Sequence, residues 1–155
     1  MNKVFVRITN VKKFVDLMEE VKQLQAKITK IVLGFGEYGL VKSETIKWWT
    51  FKNDCIYVRA NQGMTSRWLL SEIAEELGEE AFWHIQDTFN LVEHKLKQNP
   101  KPLIIDEVDY LVTNNVIEIL RDLHDRTGCP MILVGMVNIE KKLSRSVSYT
   151  HLTLP

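Results

Sequence analysis

The chain has 155 residues, 45% of them apolar and 26% charged, with 20 Lys and Arg balanced by 20 Asp and Glu. That is enough for one domain with a real core, and the neutral total gives no bulk electrostatic attachment to nucleic acid. The apolar runs are too short to span a membrane. Met1-Asn2-Lys3-Val4 does not lead into a signal peptide, and Cys55 and Cys129 lack the spacing of a zinc site or disulfide framework, so a reducing cytoplasm is expected.

In chain order, Asn10 caps a helix expected to run to about Ala26, with Val11, Phe14, Val15, Met18, Val21 and Leu24 at helical spacing. Lys30 to Phe35 is a short β-branched run, read as a first strand, and a glycine-bearing loop follows. Lys42 to Phe51 is the next helix and Cys55 to Ala60 the second strand. Thr65 to Leu77 is helical, with Gly78 just past its end. Glu80 to Gln98 places Phe82, Ile85, Phe89, Val92 and Leu96 at three- and four-residue steps, which predicts another amphipathic helix. After Asn99-Pro100-Lys101-Pro102 come a third strand at Leu103 to Asp106, a helix at Val116 to Thr127 closed by Gly128, a fourth strand at Met131 to Gly135, and a helix from Asn138 to Arg145. Strands alternating with helices predict an α/β fold, a three-layer parallel sheet with flanking helices. Residues 1–29 form an N-terminal lead-in, 30–146 the core, and 147–155 a tail of neither helical nor strand periodicity that resembles translated adapter sequence. An incomplete sheet would leave an exposed edge and poor solubility.

Gly36-Glu37-Tyr38-Gly39-Leu40-Val41-Lys42-Ser43 nearly fits the phosphate-binding pattern G-x-x-x-x-G-K-[ST], with Val41 in place of the last glycine. Backbone N–H groups at a helix N-terminus bind phosphate oxygens, and glycines let the backbone approach closely. The expected nucleotide-binding set is Gly36, Glu37, Tyr38, Gly39, Leu40, Val41, Lys42, Ser43 and Glu44. Lys42 reaches the terminal phosphates and Ser43 ligates Mg²⁺. Val41 adds a branched side chain against the nucleotide, so weakened ATP binding is expected.

Leu103-Ile104-Ile105-Asp106-Glu107 is an apolar strand that ends in two carboxylates. Beside a phosphate loop, Asp106 suits a water-mediated Mg²⁺ ligand and Glu107 the general base that activates water. Taken alone, an Asp-Glu at a strand end is more often just solvated, and only its pairing with the loop favours an ATPase. Arg59, Asn61 and Arg67 surround the end of the second strand, where arginines can hold DNA phosphates, although a solvated loop explains them as well. Trp48 and Trp49 are adjacent on a helix and cannot share one face. The four histidines lack metal spacing, and the cysteines read as small apolar side chains.

The two motifs, with Pro130-Met131-Ile132-Leu133-Val134-Gly135-Met136 and Thr9-Asn10-Val11-Lys12-Lys13-Phe14, resemble the AAA+ P-loop ATPases of DNA transposition, the phage Mu B type and its bacterial relatives, over roughly residues 5 to 145. The resemblance implies ATP and Mg²⁺ as ligands and a central phosphate-loop strand. It further implies assembly as a homo-oligomer on double-stranded DNA, with delivery of that DNA to a transposase. It places a sensor at Met136, where a polar side chain is usual, with Asn138 as a nearby substitute. It puts the arginine finger, the fifth strand and the helical lid beyond Arg145, so the lid is missing from the expected fold. A degenerate, non-hydrolysing P-loop interaction module is the alternative. A nucleotide or small-molecule kinase and a signalling ATPase free of DNA are more distant ones.

Overall fold

The computed structural model describes residues 2–7, 15–16, 19, 30–36, 42–113, 116–136 and 150–151. Its strands are β1 (Asn2–Arg7), β2 (Lys30–Gly36), β3 (Ile56–Arg59), β4 (Leu103–Asp106), β5 (Met131–Met136) and β6 (Thr150–His151). Its helices are α1 (Lys42–Lys52), α2 (Ser66–Glu76), α3 (Ile85–Gln98), α4 (Asp109–Thr113) and α5 (Ile117–Thr127). The strands form one sheet in the order β3-β4-β5-β2-β1-β6, and every pairing is parallel. The alternation of strand and helix therefore yields the three-layer α/β architecture expected of it.

Parallel strands in a covered sheet are apolar on both faces, because helices exclude water from each side. Ile56 and Val58 of β3, Leu103 and Ile105 of β4, and Met131 and Leu133 of β5 point to one side. There they pack with Leu69, Leu70 and Ile73 of α2, Val92 and Leu96 of α3, and Leu120 and Leu123 of α5. Residues one step out of phase, Ile104, Ile132 and Val134, are buried on the other face, the side of α1 with its buried Ile46 and Trp49. Trp48, one residue from Trp49, is 55% exposed, so the two tryptophans divide between solvent and core.

Local chemistry sets the helix ends. The Thr65 hydroxyl accepts a hydrogen bond from the Trp68 N–H at 3.1 Å and caps α2. Gly128 closes α5 at φ 68, a left-handed conformation that glycine adopts without cost. The start of α3 corrects the sequence reading. Residues 80–84 are not helical, because the Thr88 hydroxyl accepts from the Phe82 N–H at 2.9 Å and holds that segment in a turn. Phe82 is consequently exposed rather than part of the apolar stripe.

The N-terminal strand is a second correction. Asn2–Arg7 pairs with the outer edge of β2 in register Asn2↔Lys30 to Arg7↔Phe35, so that edge is not open as expected. Thr150–His151 pairs in turn with Val4 and Phe5, a strand that side-chain pattern did not announce because its ladder is backbone. Most of the helix expected at residues 10–26 lies outside the described residues, although Val15, Asp16 and Glu19 are helical. The helix expected at residues 138–145 lies outside them altogether. Among the described residues, no helix is long and apolar enough to cross a membrane.

Candidate functional site

The carboxyl ends of β3 and β4 bring four polar side chains together. Parallel register sets Arg59 opposite Asp106 and Tyr57 opposite Ile104. Side chains alternate along a strand, so Tyr57, Arg59 and Asp106 share one face. That face is the α1 side, since the Lys47 ammonium lies 6.0 Å from the centre of the Tyr57 ring. β2, separated from β4 by β5, ends at Gly36, paired with Met136, and α1 begins at Lys42. A strand and a helix thus precede and follow residues 37–41 in the required order, with β5 between that strand and the acidic end of β4.

Asp106 is only 4% exposed, and a buried carboxylate needs donors. The Tyr57 hydroxyl donates to its Oδ2 at 2.8 Å, and the Glu107 N–H donates to its Oδ1 at 2.9 Å. Burial first, then the negative charge and hydrogen bond of Asp106, push the Tyr57 phenol well above its ordinary range. Tyr57 therefore remains a neutral donor to Asp106 across all physiological pH.

Glu107 is built differently. It sits at φ 53, a left-handed conformation rare for a non-glycine residue. The neighbouring chain holds it there. The Ala60 N–H donates to the Asp106 carbonyl at 2.9 Å, and the Val108 N–H to the Val134 carbonyl at 3.0 Å. Such strain persists only where surrounding contacts fix it, and it re-aims the side chain out of the strand. The Glu107 carboxylate meets Arg59 in a two-pronged ion pair, Nε to Oε2 at 3.0 Å and Nη2 to Oε1 at 3.1 Å. The hydrogen bond and charge of Glu107 raise the Arg59 pKa further.

Of the residues singled out in the sequence, Asp106, Glu107 and Arg59 come together here. Asn61 follows two residues on, its amide donating to the Arg59 carbonyl at 3.4 Å. Arg67 lies instead in the first turn of α2, stacked over Trp83 with 5.6 Å between the guanidinium and the ring centre. Gly36 and Met136 end adjacent strands, and Lys42, Ser43 and Glu44 form the first turn of α1. Glu37, Tyr38, Gly39, Leu40, Val41 and Asn138 lie outside the described residues. Sequence reasoning missed Tyr57 and the partnership of Arg59 with Glu107. Their only signal was the i, i+2 spacing of Tyr57 and Arg59 at a strand end. Among the described residues, no group of three His, Cys, Asp or Glu side chains could hold a metal ion by itself.

A parallel sheet with a phosphate-type loop after one strand and an acidic pair ending another is the arrangement of a P-loop nucleotide-binding core. The AAA domain family model matches residues 9–143, and the chain belongs to that family. No curated protein matches the chain. Among solved structures, a chain of Drosophila ORC bound to GC-rich DNA and Cdc6 aligns with TM-score 0.51 and 14% identity over 92% of this chain. This chain spans 57% of the length of that one. A chain of Drosophila ORC bound to DNA aligns over 90% of this chain and 93% of its own length, at 15% identity and TM-score 0.48.

Proposed function

We propose that this chain is the ATP-binding core of an AAA+ ATPase that handles DNA, with the Asp106–Glu107 strand end as its catalytic edge. The observation that carries the reading is the different seating of the two acids. Asp106 is buried and held by Tyr57, as a rigid anchor for a hydrated cation must be. Glu107 is aimed outward from a strained backbone, as a base that must reach a water molecule must be. Bound Mg²⁺-ATP would supply the phosphoryl group and its counter-charge. Gly36 through Glu44 would cradle the phosphates, Lys42 would neutralise their charge, and Ser43 and Asp106 would serve the metal, Asp106 through water.

Arg59 sets the working state of Glu107. A carboxylate locked in a two-pronged ion pair is less available to a water molecule, so a phosphate drawing Arg59 away would free the base. In this reading Arg59 answers to DNA rather than merely holding it, with Asn61 beside it and Arg67 one loop further on. Delivery of DNA to a transposase is the finer proposal. It rests on the resemblance of the motifs, and so does the sensor position at Met136.

The competing reading is a P-loop module that keeps the fold but binds nucleotide poorly, and the observation favouring it is Val41. Calorimetry of Mg²⁺-ATP binding separates the two, using the chain as it stands, Val41→Gly and Lys42→Ala. Binding by Val41→Gly and none by Lys42→Ala supports the ATPase site. No binding by any of the three, all folded, supports the module.

A further inference from the structure

Each oxygen of the Asp106 carboxylate is engaged by a different part of the fold. Oδ2 accepts from the Tyr57 hydroxyl on β3 at 2.8 Å, and Oδ1 accepts from the Glu107 N–H at 2.9 Å. The last torsion of an aspartate is soft, so a single hydrogen bond still lets its carboxylate turn. A donor on each oxygen fixes the plane. Both donors are themselves set by the fold. The Glu107 N–H lies between two backbone bonds, from the Ala60 N–H to the Asp106 carbonyl and from the Val108 N–H to the Val134 carbonyl. The Tyr57 ring is placed by the pairing Tyr57↔Ile104, with the Lys47 ammonium 6.0 Å from its centre.

Rigidity of this kind decides which cation a carboxylate suits. Ca²⁺ takes about six to eight oxygens in a flexible shell, and carboxylates join that shell directly, through one oxygen or both. Mg²⁺ demands a near-ideal octahedron and keeps several of its waters. Asp106 is buried, and its two oxygens cannot swing together onto a cation while the Tyr57 hydroxyl and the Glu107 N–H hold them. A carboxylate so held still accepts hydrogen bonds from the water of a hydrated cation.

We infer that Tyr57 is a positioning residue that makes this strand end select Mg²⁺ over Ca²⁺. The inference rests on the reading of Asp106 as a water-mediated anchor for the cation that accompanies ATP. By holding Oδ2, Tyr57 confines Asp106 to a cation that arrives with its water, and withholds it from one that needs carboxylate oxygens directly. It acts through Asp106 and not on the cation itself. The hydroxyl alone carries this role, because a phenylalanine ring fills the same place on β3 and donates nothing to Oδ2. Partners that orient a ligand from behind in this way tune metal affinity at many sites.

The test is calorimetry of ATP binding in the presence of Mg²⁺ or of Ca²⁺, using the whole chain as Val41→Gly and as Val41→Gly/Tyr57→Phe, with circular dichroism as the check of folding. Val41→Gly is expected to bind ATP more tightly with Mg²⁺ than with Ca²⁺. Adding Tyr57→Phe is expected to narrow that preference by roughly tenfold or more, chiefly by tightening the Ca²⁺ complex. A tyrosine with only a structural role would weaken both complexes alike, so an unchanged ratio overturns the inference. The comparison within Val41→Gly needs no change at Tyr57, and equal affinity with the two cations there overturns the inference even if Tyr57→Phe does not fold. ATP binding by Val41→Gly with neither cation overturns the ATPase reading and the inference together, whereas binding whose preference ignores Tyr57→Phe overturns the inference alone.

Discussion

Strand β4 changes character within one residue. Leu103, Ile104 and Ile105 are wholly buried, Leu103 and Ile105 among apolar side chains from three helices and two strands, whereas Asp106 and Glu107 meet the polar side chains of Tyr57 and Arg59. The first region is held by contacts that any well-fitting apolar side chain could make. The second is held by directed hydrogen bonds that only particular atoms supply. The core should thus respond to volume and hardly to pH or salt, and the strand end to donors and charge.

The largest effect is expected in the core. Ile105→Ala should destabilise the fold by about 2–5 kcal/mol, read as a lower urea midpoint, because the closely packed layers relax only partly around the lost volume. Tyr57→Phe keeps almost the whole volume but removes the donor to Asp106 Oδ2, and should cost about 1–3 kcal/mol. A loss for Tyr57→Phe as small as that of an exposed substitution would break the contrast between the two regions.

The tyrosine also sharpens the comparison through pH. Its phenol titrates above its ordinary 10.0 in the folded chain and near that value in the unfolded one. A group raised on folding contributes stability that is full below its unfolded pKa and is lost as pH rises from there. Unfolding midpoints should therefore fall more steeply above about pH 10 in the native chain than in Tyr57→Phe. Parallel curves would show that the phenol is not held as described.

Arg59→Ala should cost less than about 1 kcal/mol of stability, because both partners of the pair with Glu107 are partly exposed. The small cost should shrink further in high salt. The smallest effect separates the two thiols. Burial pushes Cys129 up to about 12, while Cys55 is half-buried. Near neutral pH a thiol reagent should label Cys55 first and Cys129 only on unfolding.

Much of this was legible in the sequence. β-Branched runs and glycines marked four of the strands and the ends of α2 and α5, because periodicity and left-handed caps are local properties. The Asp-Glu end of β4 was legible for the same reason. Three features were not. Asn2–Arg7 has only Val4, Phe5 and Val6 between polar ends and no turn signal before it, and its pairing with β2 is a long-range event. The first turn of α3 was misread because Phe82 falls in phase with a stripe it does not join, the Thr88 hydroxyl having captured that segment. The partnership of Arg59 with Glu107 spans 48 residues and exists only once β3 and β4 adopt the register Arg59↔Asp106. Composition says nothing about register.

The most direct test of the strand end as a nucleotide site is the Mg²⁺ dependence of ATP binding by calorimetry. It is best measured in Val41→Gly and in Val41→Gly/Asp106→Asn, so that the loop does not mask the result. The account predicts that Mg²⁺ tightens binding in the first protein, and that Asp106→Asn removes that gain while leaving the fold intact. Equal Mg²⁺ enhancement in both proteins would contradict it.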